Sequence, residues 1–503
     1  MLHPHFTLLE GAMVTYFFRT YGCQANVADS QGLAQFLDEL GCSEAQSEAA
    51  ADLVIVNTCA VRDKAEQKLF SYLGELGQMK KERPYMKLGV IGCVASYKKN
   101  EIYTRFDQVN FVYGAREEIP ALKAYLADLI VSLETTKQLY ETNPEAVTHS
   151  GGQDRDVKKV VQLKNLFKTP SVSGAFGLKK KVEEKPAIAT KPLELKRSFI
   201  NIMTGCNKYC AYCIVPFTRG REVSYPMTQI LEQVQHDVLN GAKEVTLIGQ
   251  NVNSYIDPES NEKFPELLRR VAQIEGEFWV RFVSPHPQDM TREMFEVIAA
   301  NRPKLTAYIH FPVQSGSDKV LEMMKRNYTA AQYLEQIGWL RDLMPDATIS
   351  TDIIVGFPGE SEEDYLATRQ LMETVRYDLI YSFIYSPRKY TQAVKMEDSC
   401  PPEEKTRRLE ELQKRQIEIC LEQNLRHVGK TMKALVEKRL TNGKLLARTE
   451  GNIRVVFDGD DNLIGSFIDL RIDKAGPVNM EAVFVANEIL SSKQKEIGGI
   501  AKW

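Results

Sequence analysis

The sequence predicts an α/β protein in three parts: a parallel α/β domain over residues 13–135, a partial barrel of six strand–helix units over 198–429, and a small antiparallel β-barrel over 430–490. Three observations carry this prediction. Short apolar runs alternate with helical stretches in two separate blocks, and such alternation implies parallel sheets with helices on their faces. A stretch rich in Ser, Gly, Pro and Lys at 136–197 divides the blocks. After a long charged helix, "PPEEKTRRLEELQKRQIEICLEQNLRHVG" (401–429), the chain changes to short β-rich runs separated by Gly, Asn and Asp.

In the first block "VTYFF" (14–18), "DLVIVN" (52–57) and "KLGVIG" (87–92) read as buried strands. "ADSQGLAQFLDELG" and "VRDKAEQKLFSYLGELG" read as helices, each with Asp or Ser near its start and Gly at its end. Residues 151–197 carry 12 Lys/Arg against 5 Asp/Glu. This basic linker or insertion is expected to be a solvated connector, with contact to RNA phosphates as the alternative. The second block offers the strands "SFINIM" (198–203), "EVTLIG" (244–249), "FWVRFV" (278–283), "TAYIHFPV" (306–313), "ISTDIIVGF" (349–357) and "LIYSFIY" (379–385). Six units are too few for a closed eight-fold barrel. "KTMKALVEKRL", "GKLLARTEGNIRVVFDGD" and "LIGSFIDLRIDKAG" have the spacing of a small β-barrel.

Composition narrows the function classes. The 503 residues, 43% hydrophobic and 26% charged, suit a soluble globular protein of two or three cores. A net charge of −3 makes any nucleic-acid binding depend on local patches. No apolar run of about 18 residues predicts a membrane span. The start, "MLHPHFTLLEGAMV", lacks the basic and apolar regions of a signal peptide, and Met13 is an alternative start. Nine cysteines, an odd number without a signal peptide, argue for reduced thiols in a cytoplasm.

Cysteine position is the most informative feature. Cys23, Cys59 and Cys93 each follow one of the first three strands, in "RTYGCQANVADS", "VIVNTCAVRDKAE" and "GVIGCVASY". Parallel strands would bring all three to the carboxyl edge of one sheet, where α/β folds build their sites; buried free cysteine is the plainer alternative for any one of them. Cys206, Cys210 and Cys213 form a second set, C-x3-C-x2-C, at the end of the first barrel strand. Structural zinc would want four ligands. An iron–sulfur cubane is usually held by four cysteines, so three leave one iron open for a substrate or cofactor. Cys42, Cys400 and Cys420 lack partners of this kind and read as structural.

C-x3-C-x-aromatic-C after the first strand of a partial barrel resembles the radical S-adenosylmethionine (SAM) superfamily. The resemblance implies that Cys206, Cys210 and Cys213 hold a 4Fe–4S cluster whose open iron is chelated by SAM, with Tyr212 near the adenine. "TYGCQANVADS", "NTCAVRDKAEQK", "GC" at 92–93, "GCNKYCAYCIVPFTRGRE", "LIGQNVNSY", "HFPVQSGSDKVLEMMKRNYT" and "DIIVGFPGESEEDY" together look like the methylthiotransferase family, over nearly the whole chain. That family has a Rossmann-like N-terminal α/β domain, a radical SAM (β/α)6 barrel and a C-terminal TRAM β-barrel. "NTCAVRDKAE" and "GQNVNSY" resemble its branch acting on N6-isopentenyladenosine at position 37 of tRNA. The chain departs from the family after "YSPR", which continues "KYTQA", and in the length of its 136–197 insertion.

The resemblance implies two 4Fe–4S clusters, the second on Cys23, Cys59 and Cys93, and SAM as both radical source and methyl donor. The reaction would abstract the hydrogen at adenine C2, insert sulfur and methylate it. The implied partners are the tRNA anticodon stem-loop, a flavodoxin-type electron donor and a sulfur source, with no membrane. Gln250 and Asn251 end a barrel strand and are candidates for the SAM region, with turn duty equally open. Arg219 and Arg221 are candidates for SAM carboxylate or RNA phosphate, with a surface ion pair as the alternative. Asp352 and Gln314 read as satisfied core hydrogen-bonders. Two other readings remain: the same chemistry on threonylcarbamoyladenosine or a ribosomal protein, and an iron–sulfur or zinc module that binds RNA without catalysis.

Overall fold

The computed structural model describes residues 13–60, 63–115, 118–142 and 196–485, so most of the expected linker lies outside the described residues. Among the described residues the chain forms two compact units, 13–142 with 217–220 and 196–216 with 221–485.

The first unit is a five-stranded parallel sheet: β1 (Thr15–Tyr21), β2 (Ser43–Glu44), β3 (Leu53–Thr58), β4 (Lys87–Gly92) and β5 (Phe111–Tyr113). The order is β2-β1-β3-β4-β5 and every pairing is parallel. All six residues of β3 are buried, which is why its first four, Leu53, Val54, Ile55 and Val56, form a continuous apolar run rather than an alternation. Leu33, Leu37, Leu122, Leu126 and Leu133 from the helices pack on the sheet with Leu53, Ile55 and Phe111. β2 and β5 are too short to register as apolar runs and were not expected. The helix Gln24–Glu39 starts earlier than its apolar period suggested, because Cys23 caps it and its carbonyl accepts from Asn26 and Val27 N–H. The helix Asp63–Glu82 continues through Gly74 and Gly77, where the sequence suggested an end. A side chain at Gly77 would meet Gln108 at 2.8 Å, so this glycine serves packing rather than termination.

The second unit begins with β6 (Arg197–Asn201), β7 (Met203–Thr204), β8 (Val223–Ser224), β9 (Glu244–Ile248), β10 (Trp279–Phe282), β11 (Tyr308–His310), β12 (Thr348–Val355) and β13 (Leu379–Ile384). β6-β9-β10 and β11-β12-β13 are parallel sheets linked by a Val280–Leu305 bridge, giving six barrel strands with β6 and β13 at the edges. Val245, Leu247, Val280, Ile309, Ile349 and Ile353 point to the helix side and share one core with the flanking helices. β7 and β8 pair antiparallel and clasp the loop that carries the second cysteine set.

The helix Pro402–Leu425 leads to β14 (Thr431–Arg439), β15 (Leu445–Thr449), β16 (Arg454–Phe457), β17 (Phe467–Ala475) and β18 (Met480–Phe484). These close into a barrel in the order β14-β15-β16-β18-β17. It is antiparallel except where β16 meets β18 in parallel. Five strands cannot alternate direction all the way round a closed ring, so one parallel pair is unavoidable. The β15–β16 turn abuts the amino edge of the large barrel. Arg281 donates to the carbonyls of Thr449 (2.9 Å) and Glu450 (2.8 Å), Thr348 Oγ1 donates to Gly451 O (2.6 Å), and the Glu450 carboxylate accepts from Arg302 (3.0 Å). A Cβ at Gly451 would stand 2.9 Å from Thr348, so the close approach requires glycine.

Candidate functional site

In the first unit the three strand-end cysteines come from different loops, and two buried asparagines tie those loops together. Asn26 Nδ2 donates to Asn57 Oδ1 (2.9 Å) and to Thr58 O (3.3 Å). Asn57 Nδ2 donates back to Asn26 O (2.8 Å) and to Ser30 Oγ (3.0 Å). Both asparagines are fully buried. Cys23 donates its thiol to Asn26 Oδ1 (3.3 Å), and Cys59 N–H reaches Tyr21 O (2.9 Å). Gly92, just before Cys93, has φ 94°, and a Cβ there would lie 2.3 Å from Asn57 Oδ1. The asparagine pair thus binds the β1 and β3 loops, and the glycine lets the β4 loop approach it.

Cys23 caps one helix and Cys93 begins another, Cys93–Arg105, so both thiols sit where helix dipoles favour negative charge. A hydrogen bond from Cys59, opposed by burial and aided by the Arg219 charge, lowers the Cys23 pKa to about 6. Arg219 belongs to this unit. It is buried and pairs with Asp29 at 2.7 Å. Its guanidinium is therefore committed to neither SAM carboxylate nor RNA phosphate, and Arg221 alone of the two arginines is exposed.

In the second unit Cys206 and Cys210 are buried and Cys213 is partly exposed. Cys213 N–H closes a turn onto Cys210 O (2.9 Å). Asn207 and Glu222 exchange hydrogen bonds across the base of the loop at 3.1 and 3.2 Å, and Gly205 N–H donates to Gln250 Oε1 (2.5 Å). Gln250 is thus occupied in fixing the cysteine loop. Burial pushes the Cys206 and Cys213 thiols up to about 12 in the metal-free chain, so a bound cation is what would ionise them.

Arg326 is the residue the sequence did not reveal. It is buried, and its Nη1 stands 3.5 Å from Cys210 Sγ and 3.4 Å from Tyr212 Oη. Nε donates to Tyr328 Oη (2.9 Å) and Nη2 to Pro312 O (2.7 Å). Among the described residues no carboxylate forms a salt bridge with it, although a buried cation demands a counter-charge. Three thiolates beside it would supply one. Its only advance signal is its place in "MMKRNYT".

His286 is a second nearby residue. Its Nδ1 accepts from Gln288 N–H (3.2 Å), and burial lowers its pKa to about 2. The neutral ring therefore carries its proton on Nε2, which points that proton toward Cys210 Sγ at 3.9 Å rather than a lone pair toward a metal. Among the described residues no three His, Cys, Asp or Glu side chains converge as the ligands of a single ion would. The ligands of a cubane bind separate irons and need no such convergence.

Asn251 is fully buried and donates to Asp289 Oδ2 (2.8 Å) and Glu222 Oε1 (3.4 Å), while its Oδ1 has no partner among the described residues. Tyr212 packs against a small core that includes Met324, Phe357 and Tyr385. Gln314 is buried, with its backbone bridged to β12. Asp352 departs from expectation: its side chain is 31% exposed and faces His310 at 3.6 Å. Cys42 and Cys420 are buried and belong to neither set, Cys42 in the first core with its thiol pushed up to about 12 by burial, Cys420 donating to Asp378 O (2.9 Å).

Three family profiles match the chain in succession: the uncharacterized protein family UPF0004 at 15–114, the radical SAM superfamily at 200–372 and the TRAM domain at 425–485. A tRNA-2-methylthio-N(6)-dimethylallyladenosine synthase from Carboxydothermus hydrogenoformans is 36% identical over 94% of this chain and 99% of its own. One from Syntrophobacter fumaroxidans is 38% identical over 95% and 96%. A solved radical SAM methyltransferase from Kitasatospora setae superposes with a TM-score of 0.49 at 13% identity over 76% of this chain and 77% of that one, too loosely to bear on function. With three profiles in family order and alignment over almost the full length, the chain belongs to the tRNA-2-methylthio-N(6)-dimethylallyladenosine synthase family, a radical SAM family with a TRAM domain.

Proposed function

We propose that this chain is a tRNA methylthiotransferase that converts N6-isopentenyladenosine at position 37, beside the anticodon, to its 2-methylthio derivative. Cys206, Cys210 and Cys213 hold the cluster that binds SAM, and Cys23, Cys59 and Cys93 hold a second one. The observation that carries this is the pair of three-thiol sets at strand ends, one of them beside a buried guanidinium that forms no salt bridge with a carboxylate among the described residues. When bound, the clusters and SAM supply the radical hydrogen abstraction, the sulfur and the methyl group.

The protein's own groups bind, orient and shield. Arg326 and the His286 N–H lie against Cys210 sulfur and moderate its charge, as outer hydrogen bonds do for metal ligands generally. Gln250 fixes the loop on which the thiols stand. Asn251 offers a buried acceptor that has no donor among the described residues, suited to the ammonium of SAM. Tyr212 presents its ring beside the cysteines. The small barrel contributes RNA contacts, chiefly to the backbone. No helix among the described residues is long and apolar enough to cross a membrane, and action in the cytoplasm with an electron donor and a sulfur source completes the proposal.

The test is anaerobic reconstitution with iron and sulfide, then turnover of matched tRNAs carrying isopentenyladenosine, threonylcarbamoyladenosine or plain adenosine. Methylthiolation of the isopentenylated tRNA alone is expected. Equal turnover of all three would refute the substrate assignment.

A further inference from the structure

The six barrel strands turn one face to the helices and the other to the barrel interior. On β13 the two faces differ sharply. Ile380 is buried on the helix side, whereas Leu379, Tyr381 and Phe383, at alternate positions, are 38%, 41% and 43% exposed. Parallel register sets Leu379 beside Ser350, Tyr381 beside Asp352, and Phe383 beside Ile354. All of these lie on the interior face, since Ile349, Thr351 and Ile353 between them are buried on the other.

This face is apolar along its edge strand and polar one strand inward. His310 Nδ1 and Ser350 Oγ share a hydrogen bond (2.9 Å), the His310 ring meets Tyr381 edge-on at 5.8 Å, and Asp352 stands 3.6 Å from Nε2. At the amino end the interior is stopped by the β15–β16 turn, through Arg281 and Thr348. At the carboxyl end β6 runs into the loop of Cys206, Cys210 and Cys213. An occupant of this face therefore has a polar flank, an apolar wall and one reactive end.

We propose that the interior face of β13, Leu379, Tyr381 and Phe383, receives the dimethylallyl group of the target adenosine and is what distinguishes that base from unmodified adenosine. This rests on the function proposed above. C2 and C6, the carbon that bears the N6 substituent, flank N1 of the adenine six-membered ring, and their exocyclic bonds diverge. A base that presents C2 to the cysteine loop therefore turns its five-carbon N6 group aside from that loop, toward the strand wall. The group is apolar and finds its match on β13, while the purine edge finds hydrogen-bonding groups at His310 and Asp352. In an apolar pocket a single methylene is worth roughly 10- to 200-fold in discrimination.

The experiment uses reconstituted holoenzyme and two matched anticodon stem-loops, one isopentenylated and one with plain adenosine, and reads their dissociation constants by fluorescence anisotropy alongside turnover. In Leu379→Asn/Phe383→Asn the preference for the isopentenylated stem-loop is expected to fall by at least roughly tenfold, with affinity for the plain one unchanged. Leu379→Ile/Phe383→Leu keeps the wall apolar and should stay within about threefold of wild type. Leu366→Asn, an exposed leucine on a helix, should leave the ratio as it is. An unchanged ratio in the double Asn variant overturns the proposal, as does an equal loss for both stem-loops, which would make this face a general RNA contact. No preference in the wild type would overturn the substrate assignment itself, and this inference with it.

Discussion

Asn57 shows how much a single polar side chain can fix. It is fully buried, makes three hydrogen bonds to the Asn26 segment, and stands where a Cβ on Gly92 would strike it. Replacing it takes away one of the two acceptors of the buried Asn26 amide, at a cost of about 1–3 kcal/mol. Asn57→Ala is expected to lower the thermal midpoint. It should also reduce iron bound at the first unit, measured in a Cys206/Cys210/Cys213→Ala background where only that unit can load. Full iron content in this variant would remove the asparagine from any positioning role. His427 behaves differently. Burial, with the Arg426 and Lys430 charges against a weaker opposing pull from Asp346, lowers its pKa to about 4. The folded protein therefore holds it neutral while the unfolded chain takes up a proton near pH 6.5. The stability tied to it is complete above about pH 6.5 and is lost as pH falls toward 4. Wild type should lose more of its midpoint between pH 7 and pH 5 than His427→Gln does, and equal losses would contradict the assignment.

Elements connect through such residues, and the β15–β16 turn is the clearest case. Arg281 is 5% exposed, pairs with Glu244 at 2.6 Å and donates to the turn's carbonyls. Arg197 joins Glu244 to Glu437 of β14, and Arg448 pairs with Glu437 at 2.8 Å. Removing one side of a buried charge network leaves the other side uncompensated, which costs more than the network contributes. Deleting residues 430–490 would therefore disturb the large barrel as well as RNA binding. Gly451→Val is a milder probe. Its side chain meets Thr348, and overpacking of this kind costs about 1–3 kcal/mol. A lowered midpoint with cysteine-bound iron retained is the expected outcome. A midpoint equal to wild type would mean that the turn does not bear on the barrel.

At the scale of the molecule, each unit has its own core and its own set of three cysteines at strand ends. Two cubanes amount to about eight irons per chain. Cys206, Cys210 and Cys213 changed together to Ala should abolish both 5′-deoxyadenosine and methylthiolated nucleoside. Cys23, Cys59 and Cys93 changed together should leave some SAM cleavage and stop sulfur insertion. One mass-spectrometric assay reports both products, and full methylthio product from the second variant would overturn the two-cluster proposal.

The sequence by itself determined the α/β class, the six barrel strands and the two cysteine sets, because these depend on local periodicity and spacing. Strand interiors such as "LVIV" are apolar throughout whatever lies beside them, and a C-x3-C-x2-C loop keeps its spacing in any fold. It did not disclose β2 or β5, which are too short for a period to emerge, nor the parallel closure of β16 on β18, which follows from ring geometry. Tertiary structure alone decided which polar residues face which. Arg326 lies 116 residues from Cys210, Asn57 lies 31 from Asn26, and Arg219 lies 190 from Asp29. Such pairings carry no periodic signal, since each depends on the path of the chain between. Asp352 looked like a core residue in an apolar run, and only the register of β12 against β13 turned it toward the barrel interior.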